Sequence, residues 1–477
     1  MKVVDDKAAN LPTKPYRLLG LGFWQAWWML AMCTDTVLSF DSDLGLVLRP
    51  ALFVLLLTAL GYLVVTLLSK WFSPFLMKNH FLWITALCAV LGTLAMAAIA
   101  HGAILAISPY LYTVAAIILS IGNALLLIMW GELWSALSTG RVGRHLLVSY
   151  VFAFVLYFCV YGLPLEWRII ITALLPALSV LILTSARKEP RRQPSSLVFD
   201  FEPFPVARLI VAIIIVSVAY GFSQAVIATI AVSEDTTVKG FILAGAGIAA
   251  LALNIIITAP QLEPLSFFRP IVPALTGGLI LMVLMQSDFL FVGGGLVILG
   301  IYCLDMLIML VSTDMAFRTR LPVALTVGLT IFAARCGTLV GTFAFDVASG
   351  HAAWGAGLPQ QLLLVCALVA LLAGTILFSE TDLLKLYRSR GLAVRQSAPA
   401  LERCQRISSI CGLTARELEV LVLLSSGRSV PFICQELSIA QGTAKHHVSN
   451  IYRKLGVGDR QGLYDVIERG SAGKGAL

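Results

Sequence analysis

The sequence predicts an all-α protein in two parts. A twelve-helix transmembrane bundle, arranged six plus six, is followed by a small helical domain on the cytoplasmic side. Three observations predict this. Apolar runs recur from Leu18 to Phe378, and a bilayer-spanning helix needs about 20 mostly apolar residues. Only 13% of the residues are charged and the mean hydropathy is +0.90, whereas a soluble chain carries about 25% charged residues. After Phe378 the composition changes: residues 380–477 hold 14 Lys+Arg and 9 Asp+Glu.

The runs of the first half, 18–186, fall near 18–40, 46–69, 81–100, 108–131, 146–164 and 168–185. The polar, Pro-rich stretch RKEPRRQPSSLVFDFEPFPVAR then separates them from the second half, 208–379. There the runs fall near 209–232, 240–259, 271–287, 291–313, 323–345 and 359–379, so residues 1–379 are read as the membrane part. The opening residues MKVVDDKAANLPTKPYR are too polar for a cleavable signal. With the N-terminus in the cytoplasm, the inside segments before the last span carry 16 Lys+Arg, from Lys2 to Arg320. The outside loops carry 3, namely Arg49, Arg168 and Lys239. This asymmetry follows the positive-inside rule. An even number of spans then places both termini in the cytoplasm of a cell whose inner membrane holds the bundle. Nine cysteines without a CxxC pair, six of them in apolar runs, read as packing residues.

Residues 380–411 read as a linker. The first part, ETDLLKLYRSR, is able to continue the last span as a helix, and GLAVRQSAPA reads as flexible. The terminal domain, 412–477, contains LTARELEVLVLLSSGRSVPFICQELSIAQGTAKHHVSNIYRKLGVGDRQGLYDVIE. Thr414 and Glu417 stand at capping-box spacing and start a helix. It runs to about Ser426, with Gly427 as its C-terminal cap. Ser429 caps a second helix to about Leu437, where Pro431 is tolerated in the first turn, and a turn through Ile439 and Ala440 leads to a third. On that third helix Ala444, Val448, Ile451 and Leu455 form one apolar stripe. The opposite arc holds Lys445, His446, Ser449, Asn450 and Arg453, with Thr443 and Lys454 beside it. No acid occurs from Gln441 to Gly458. Lys and Arg on such an arc neutralise phosphates, and Asn, His and Ser hydrogen-bond base edges. By period alone, the pattern fits a solvated basic face equally well.

The motif separates these readings. The segment resembles the LuxR/FixJ-type helix-turn-helix regulators of bacteria. Leu413, Thr414, Arg416, Glu417, Glu419, Val420 and Leu421 match the first block of that family's pattern. Gly427, Ser429, Ile433, Leu437 and Ile439 match the second. Thr443, Lys445, His447, Asn450, Ile451, Lys454, Leu455, Val457 and Arg460 match the third. The resemblance implies a four-helix DNA-binding domain whose third helix enters the major groove. It also implies base contacts from Lys445, His446 and Ser449, and a fourth helix, about Arg460 to Glu468, that often dimerises. Val430-Pro431-Phe432 and Ala444 depart from the pattern. The first departure removes polar groups from the start of the second helix, so phosphate contacts are not expected there.

The six-plus-six layout resembles the major facilitator superfamily. That family's loop signature is missing from LSKWFSPFLMKNH between runs two and three, and GRVGR at 140–144 lies in another loop without an Asp. This loss favours a transporter-derived sensor. Ionisable residues inside spans usually face a cavity or a partner. Asp305 in span ten and Arg335 in span eleven lie at similar depth, so a pair between them is expected. Both a structural ion pair and a ligand- or proton-linked switch fit that pair. Asp35 and Glu132 are weaker candidates, and Glu132 is flanked by Trp130 and Trp134 as an interfacial belt. Trp24, Trp27 and Trp28 read as interfacial anchors, and Asn123, Gln224 and Asn254 as helix-to-helix hydrogen bonders. With no nucleophile–base set, phosphate loop or metal-ligand cluster in the sequence, neither an enzyme nor a cofactor nor a metal site is expected. Adjacent His446 and His447 lack further ligands at metal spacing. The expected function is a membrane-embedded transcription regulator. Its partners would be promoter DNA, the bilayer, an unknown small-molecule ligand and, on DNA, a second copy of itself. A secondary transporter with a regulatory tail is the alternative, and a docking platform for protein partners a third.

Overall fold

A computed structural model describes residues 17, 19–37, 50–101, 109–137, 139–187, 203–230, 234–258, 265–285, 289–319, 321–350, 358–377, 398–425, 430, 433–434, 437 and 441–469. Every regular element among them is a helix. They fall into two compact units, one ending by residue 377 and one beginning at residue 398.

In the larger unit a helix lies at each predicted apolar run. In the first half these are α1 (Gly20–Cys33), α2 (Pro50–Phe72), α3 (Asn79–Ala100), α4 (Pro109–Ser135), α5 (Thr139–Tyr161) and α6 (Leu165–Ala186). In the second they are α7 (Pro203–Ile230), α8 (Glu234–Thr258), α9 (Ile271–Leu284), α10 (Leu290–Thr319), α11 (Val323–Gly350) and α12 (Leu358–Leu372). Eight described helices, α2 to α7 with α10 and α11, are long and apolar enough to cross a membrane. Pro50, Pro109 and Pro203 occupy first helical positions, where a missing N–H costs nothing and the fixed φ is already helical.

The first six helices pack among themselves, α1 on α5 and α6, and α4 on α2 and α3. In the second half α7 packs on α11 and α10 on α8 and α9. The halves meet where α2 and α4 touch α11 and where α5 touches α8. The α7–α11 crossing depends on small residues. A methyl group at Gly221 would collide with the Thr338 carbonyl, and one at Gly341 with that of Val218. Thr342 Oγ1 donates to the Gly221 carbonyl at 3.2 Å. Such close approach is how helices gain dispersion contact where lipid offers no hydrophobic drive.

The tryptophans correct the sequence reading. Trp24, Trp27, Trp130 and Trp134 are all at most 3% exposed, so they are core residues and not interfacial anchors. For three of them the indole N–H group explains why. Trp24 donates to Asn123 Oδ1 at 2.9 Å, Trp27 to Thr93 Oγ1 at 2.9 Å and Trp130 to Ser179 Oγ at 2.9 Å. A side-chain acceptor on a neighbouring helix replaces the water that an interfacial indole would use. Asn123 Nδ2 in turn donates to Tyr62 Oη at 3.1 Å, the helix-to-helix bonding expected of that residue.

The smaller unit contains α13 (Ala398–Cys411), α14 (Ala415–Ser425), α15 (Gln441–Leu455) and α16 (Arg460–Arg469). Its core joins Cys404 and Ile407 of α13, Val420, Leu421 and Leu424 of α14, Ile433, the α15 stripe, and Leu463 and Ile467 of α16. Helix α13 thus occupies the second half of the segment read as linker. Two glycines end helices in the same way. Gly412 at φ +63° follows α13 and Gly456 at φ +67° follows α15. After them Leu413 N donates to Ser408 O and Val457 N to Tyr452 O, both at 3.0 Å. This six-to-one closure needs a left-handed residue, which glycine supplies without a Cβ penalty.

Candidate functional site

The exposed face of α15 is fixed from behind by its own stripe. Ala444 and Ile451 are fully buried, Leu455 is 5% exposed and Val448 packs against them. That anchoring turns Thr443, Lys445, His446, Ser449 and Arg453 outward, all exposed. Asn450 is half-buried, and its Oδ1 accepts from Arg453 Nη2 at 3.0 Å.

Lys454 behaves differently from its neighbours. Its Nζ donates to Glu417 Oε2 at 2.6 Å and to the Gly412 carbonyl at 3.0 Å. The same Glu417 closes the expected capping box. Thr414 N donates to Glu417 Oε2 at 2.8 Å, and Glu417 N donates to Thr414 Oγ1 at 3.2 Å. The Lys454 hydrogen bond, with the Thr414 N–H second, pulls the Glu417 carboxyl down to about 2. Lys454 therefore holds α15 onto α14 and the end of α13. Arg416 extends the framework, with Nη2 donating to the Leu437 carbonyl at 2.7 Å. Asp459 Oδ1 accepts from Gly462 N at 2.8 Å and starts α16. Gly427, Ser429, Pro431, Ile439 and Ala440 lie outside the described residues; Leu437 N donates to Ile433 O at 3.0 Å, as in a helix.

The arrangement presents an open, acid-free face with two outward cations, Lys445 and Arg453, beside amide, hydroxyl and imidazole groups. Such a face neutralises phosphates and leaves short polar side chains free for base edges.

In the larger unit the four ionisable candidates separate. Asp35 Oδ1 accepts from Arg168 Nη2 at 2.8 Å, and the Arg168 guanidinium lies 5.2 Å from the Tyr161 ring centroid. This pair ties the end of α1 to the start of α6. Glu132 is 8% exposed and accepts from Phe75 N at 3.0 Å, Leu76 N at 2.7 Å and Ser73 Oγ at 3.2 Å. It anchors the connection between α2 and α3, the loop that lacks the facilitator signature. Both therefore tie a connection to a neighbouring helix.

Asp305 and Arg335 are brought within electrostatic reach of each other, along with Tyr62, Tyr150, Tyr220 and Tyr302. No ion pair joins them among the described residues. The expected direct pair is corrected to two separated charges. Arg335 instead sets its guanidinium 5.9 Å from the Trp28 ring centroid, and its Nε has no hydrogen-bond partner among the described residues. The tyrosines escaped sequence reading, although tyrosine hydroxyls inside apolar runs are a signal that needs explaining.

Residues 412–467 match the family described as bacterial regulatory proteins, luxR family. The probable transcriptional regulatory protein NarL of Mycobacterium tuberculosis is 52% identical over 48 residues, 10% of this chain and 22% of that protein. The transcriptional regulatory protein LnrK of Bacillus subtilis is 42% identical over 60 residues, 13% and 27%. The HTH-type transcriptional regulator MalT of Yersinia pestis is 51% identical over 57 residues, 12% and 6%. The chain thus covers less than a third of each of these relatives. Solved structures resemble the other part. The human organic anion transporter MFSD10 (TETRAN) aligns with 76% of this chain and 99% of its own, at TM-score 0.54 and 14% identity. A bacterial homologue of the iron transporter ferroportin in an outward-facing state aligns with 78% and 97%, at 0.52 and 13%. A bundle with the fold of these transporters, eight of whose described helices are long and apolar enough to cross a membrane, thus precedes a C-terminal segment that matches the luxR family.

Proposed function

We propose that this chain is a one-component transcription regulator of the inner membrane, acting by binding and not by catalysis. The observation that carries the reading is the open face of α15, which sets Lys445, His446 and Ser449 outward within a LuxR-type domain fused to a membrane bundle. Lys445 and Arg453 would neutralise phosphates, and Lys445, His446 and Ser449 would read base edges. Two copies would bind an operator of two half-sites about one helical turn apart. The charge asymmetry of the loops supports cytoplasmic termini, so the domain would reach the chromosome.

The bundle is the input. A small molecule would bind at the Asp305–Arg335 cluster and favour one of two arrangements, which its differential affinity alone is able to do. With cytoplasmic termini, the ends of α2 and α11 that meet through Thr66 and Gly328 lie on the inner side. Thr66 Oγ1 donates to the Ala324 carbonyl there at 3.2 Å. Inner closure supports ligand entry from outside or from the bilayer.

Genome-wide occupancy of the intact protein, beside a Lys445→Ala, Ser449→Ala variant, tests this. Discrete peaks lost in the variant are expected. Occupancy unchanged in the variant, or no peak in either, would remove the reading.

A further inference from the structure

The cluster in the bundle carries more than its location. Asp305 and Arg335 are opposite charges on adjacent helices, each half-buried, and neither has a hydrogen bond or ion pair to any described residue. Tyr150 and Tyr302 are 4% and 7% exposed, and their rings meet edge to face at 5.8 Å. Tyr220 lies within electrostatic reach of both charges. The hydroxyls of Tyr150, Tyr220 and Tyr302 make no hydrogen bond to a described residue. An acid, a guanidinium and three hydroxyls therefore come from both halves of the bundle without a hydrogen bond to a described residue, the guanidinium lying 5.9 Å from the Trp28 ring centroid. A structural pair would close, because separated charges in a low-dielectric interior forfeit most of their attraction. A ligand with a single charge would satisfy one group and strand the other. A ligand with both would satisfy the two together.

Resting on the regulator reading, we infer that the bundle binds a small zwitterion, a compound with a carboxylate and an ammonium group on an apolar or aromatic body. The carboxylate meets the Arg335 guanidinium, the ammonium meets the Asp305 carboxylate, and the body lies against Trp28 and the tyrosine rings. The hydroxyls complete the polar shell.

The test uses full-length protein in lipid nanodiscs and the proteinogenic amino acids as zwitterionic probes, with binding read by calorimetry. The strongest binder is then compared with its deaminated acid and its decarboxylated amine. At least one amino acid is expected to bind, and each single-charge counterpart to bind at least about tenfold more weakly. Asp305→Asn should abolish the advantage of the ammonium and Arg335→Gln that of the carboxylate. Circular dichroism and the double variant Asp305→Asn, Arg335→Gln control for folding. Equal binding of the acid or of the amine would overturn the inference, as would no binding of any probe to folded protein. Promoter binding is measured on the same preparations. Intact DNA binding without zwitterion binding defeats the ligand class alone. Zwitterion binding without DNA binding defeats the regulator reading alone.

Discussion

Two acid–base couples in this chain have opposite geometries. In the small domain Glu417 and Lys454 touch at 2.6 Å, and both also bond the backbone at Thr414 and Gly412. In the bundle Asp305 and Arg335 feel each other but do not touch. The first couple has satisfied itself and joins three helices. The second has kept its bonding capacity. The contrast shows that charge identity does not assign role: Lys454 lies on the most basic described helix and is paired, whereas Arg335 lies in the more apolar unit without a hydrogen bond to a described residue.

The largest expected effect breaks the closed couple. Lys454→Met leaves the Glu417 carboxylate, in a residue 4% exposed, without its cation. Removing one partner of a buried pair costs roughly 3–5 kcal/mol, less where one side chain reaches water. The Lys454 side chain is 28% exposed, so about 2–3 kcal/mol is expected. Amide hydrogen exchange in α14 and α15 of the intact protein reads it as faster local opening. A surface lysine that served only phosphate would behave oppositely. Lys445→Ala should leave exchange unchanged and reduce the slope of log affinity against log salt by about 0.9. If Lys454→Met also left exchange unchanged, the closed couple would be ornamental.

Acid tests the same couple by titration. The Glu417 carboxyl is held at about 2, below its ordinary 4.5. A depressed acid contributes stability that is complete above 4.5 and is lost as pH falls toward 2. Exchange in α14 should therefore accelerate through that window in the native chain. In Glu417→Gln this component should be absent. An equal acid response in both would place the sensitivity elsewhere.

Much of this was legible because it is local. Thr414 and Glu417 announce themselves by spacing, and the α15 stripe by a 3.6-residue period. Lys454 was not legible as a structural residue. Its partner lies 37 residues away, and on a helical wheel it looks like any lysine beside the exposed arc. Helix α13 was hidden for a related reason. Its inward face rests on Cys404 and Ile407 within a mixed-charge stretch, too sparse a pattern to outweigh a linker reading. The tryptophans near helix ends looked interfacial until Asn123, Thr93 and Ser179 supplied acceptors from other helices. Depth along a helix is readable from sequence; the azimuth that decides whether Asp305 touches Arg335 is not.

A smaller effect concerns the cap shared by the end of α15 and the Lys454 anchor. Gly456 sits at φ +67° with open space around its Cα. Gly456→Ala therefore meets no clash and costs only the left-handed penalty, about 1 kcal/mol. It should loosen the last turn of α15, which carries Lys454, and so weaken the closed couple without removing it. Exchange in α15 should rise by less than in Lys454→Met. An equal or larger rise would show that the cap, and not the ion pair, holds the helix.

The smallest effect is expected where charges are left open. Asp305→Asn or Arg335→Gln removes a charge that has no bonded partner among the described residues to strand. Each substitution forfeits a screened attraction and also relieves a desolvation cost, and these oppose each other. The net change in bundle stability should stay within about 1 kcal/mol, read as a thermal midpoint in nanodiscs without added ligand. A loss as large as that of Lys454→Met would mean that the two groups are joined, through water or by closure, and the contrast between the couples would vanish. A small change combined with loss of ligand binding would mean that the bundle tolerates unbonded charge because a ligand supplies the missing bonds.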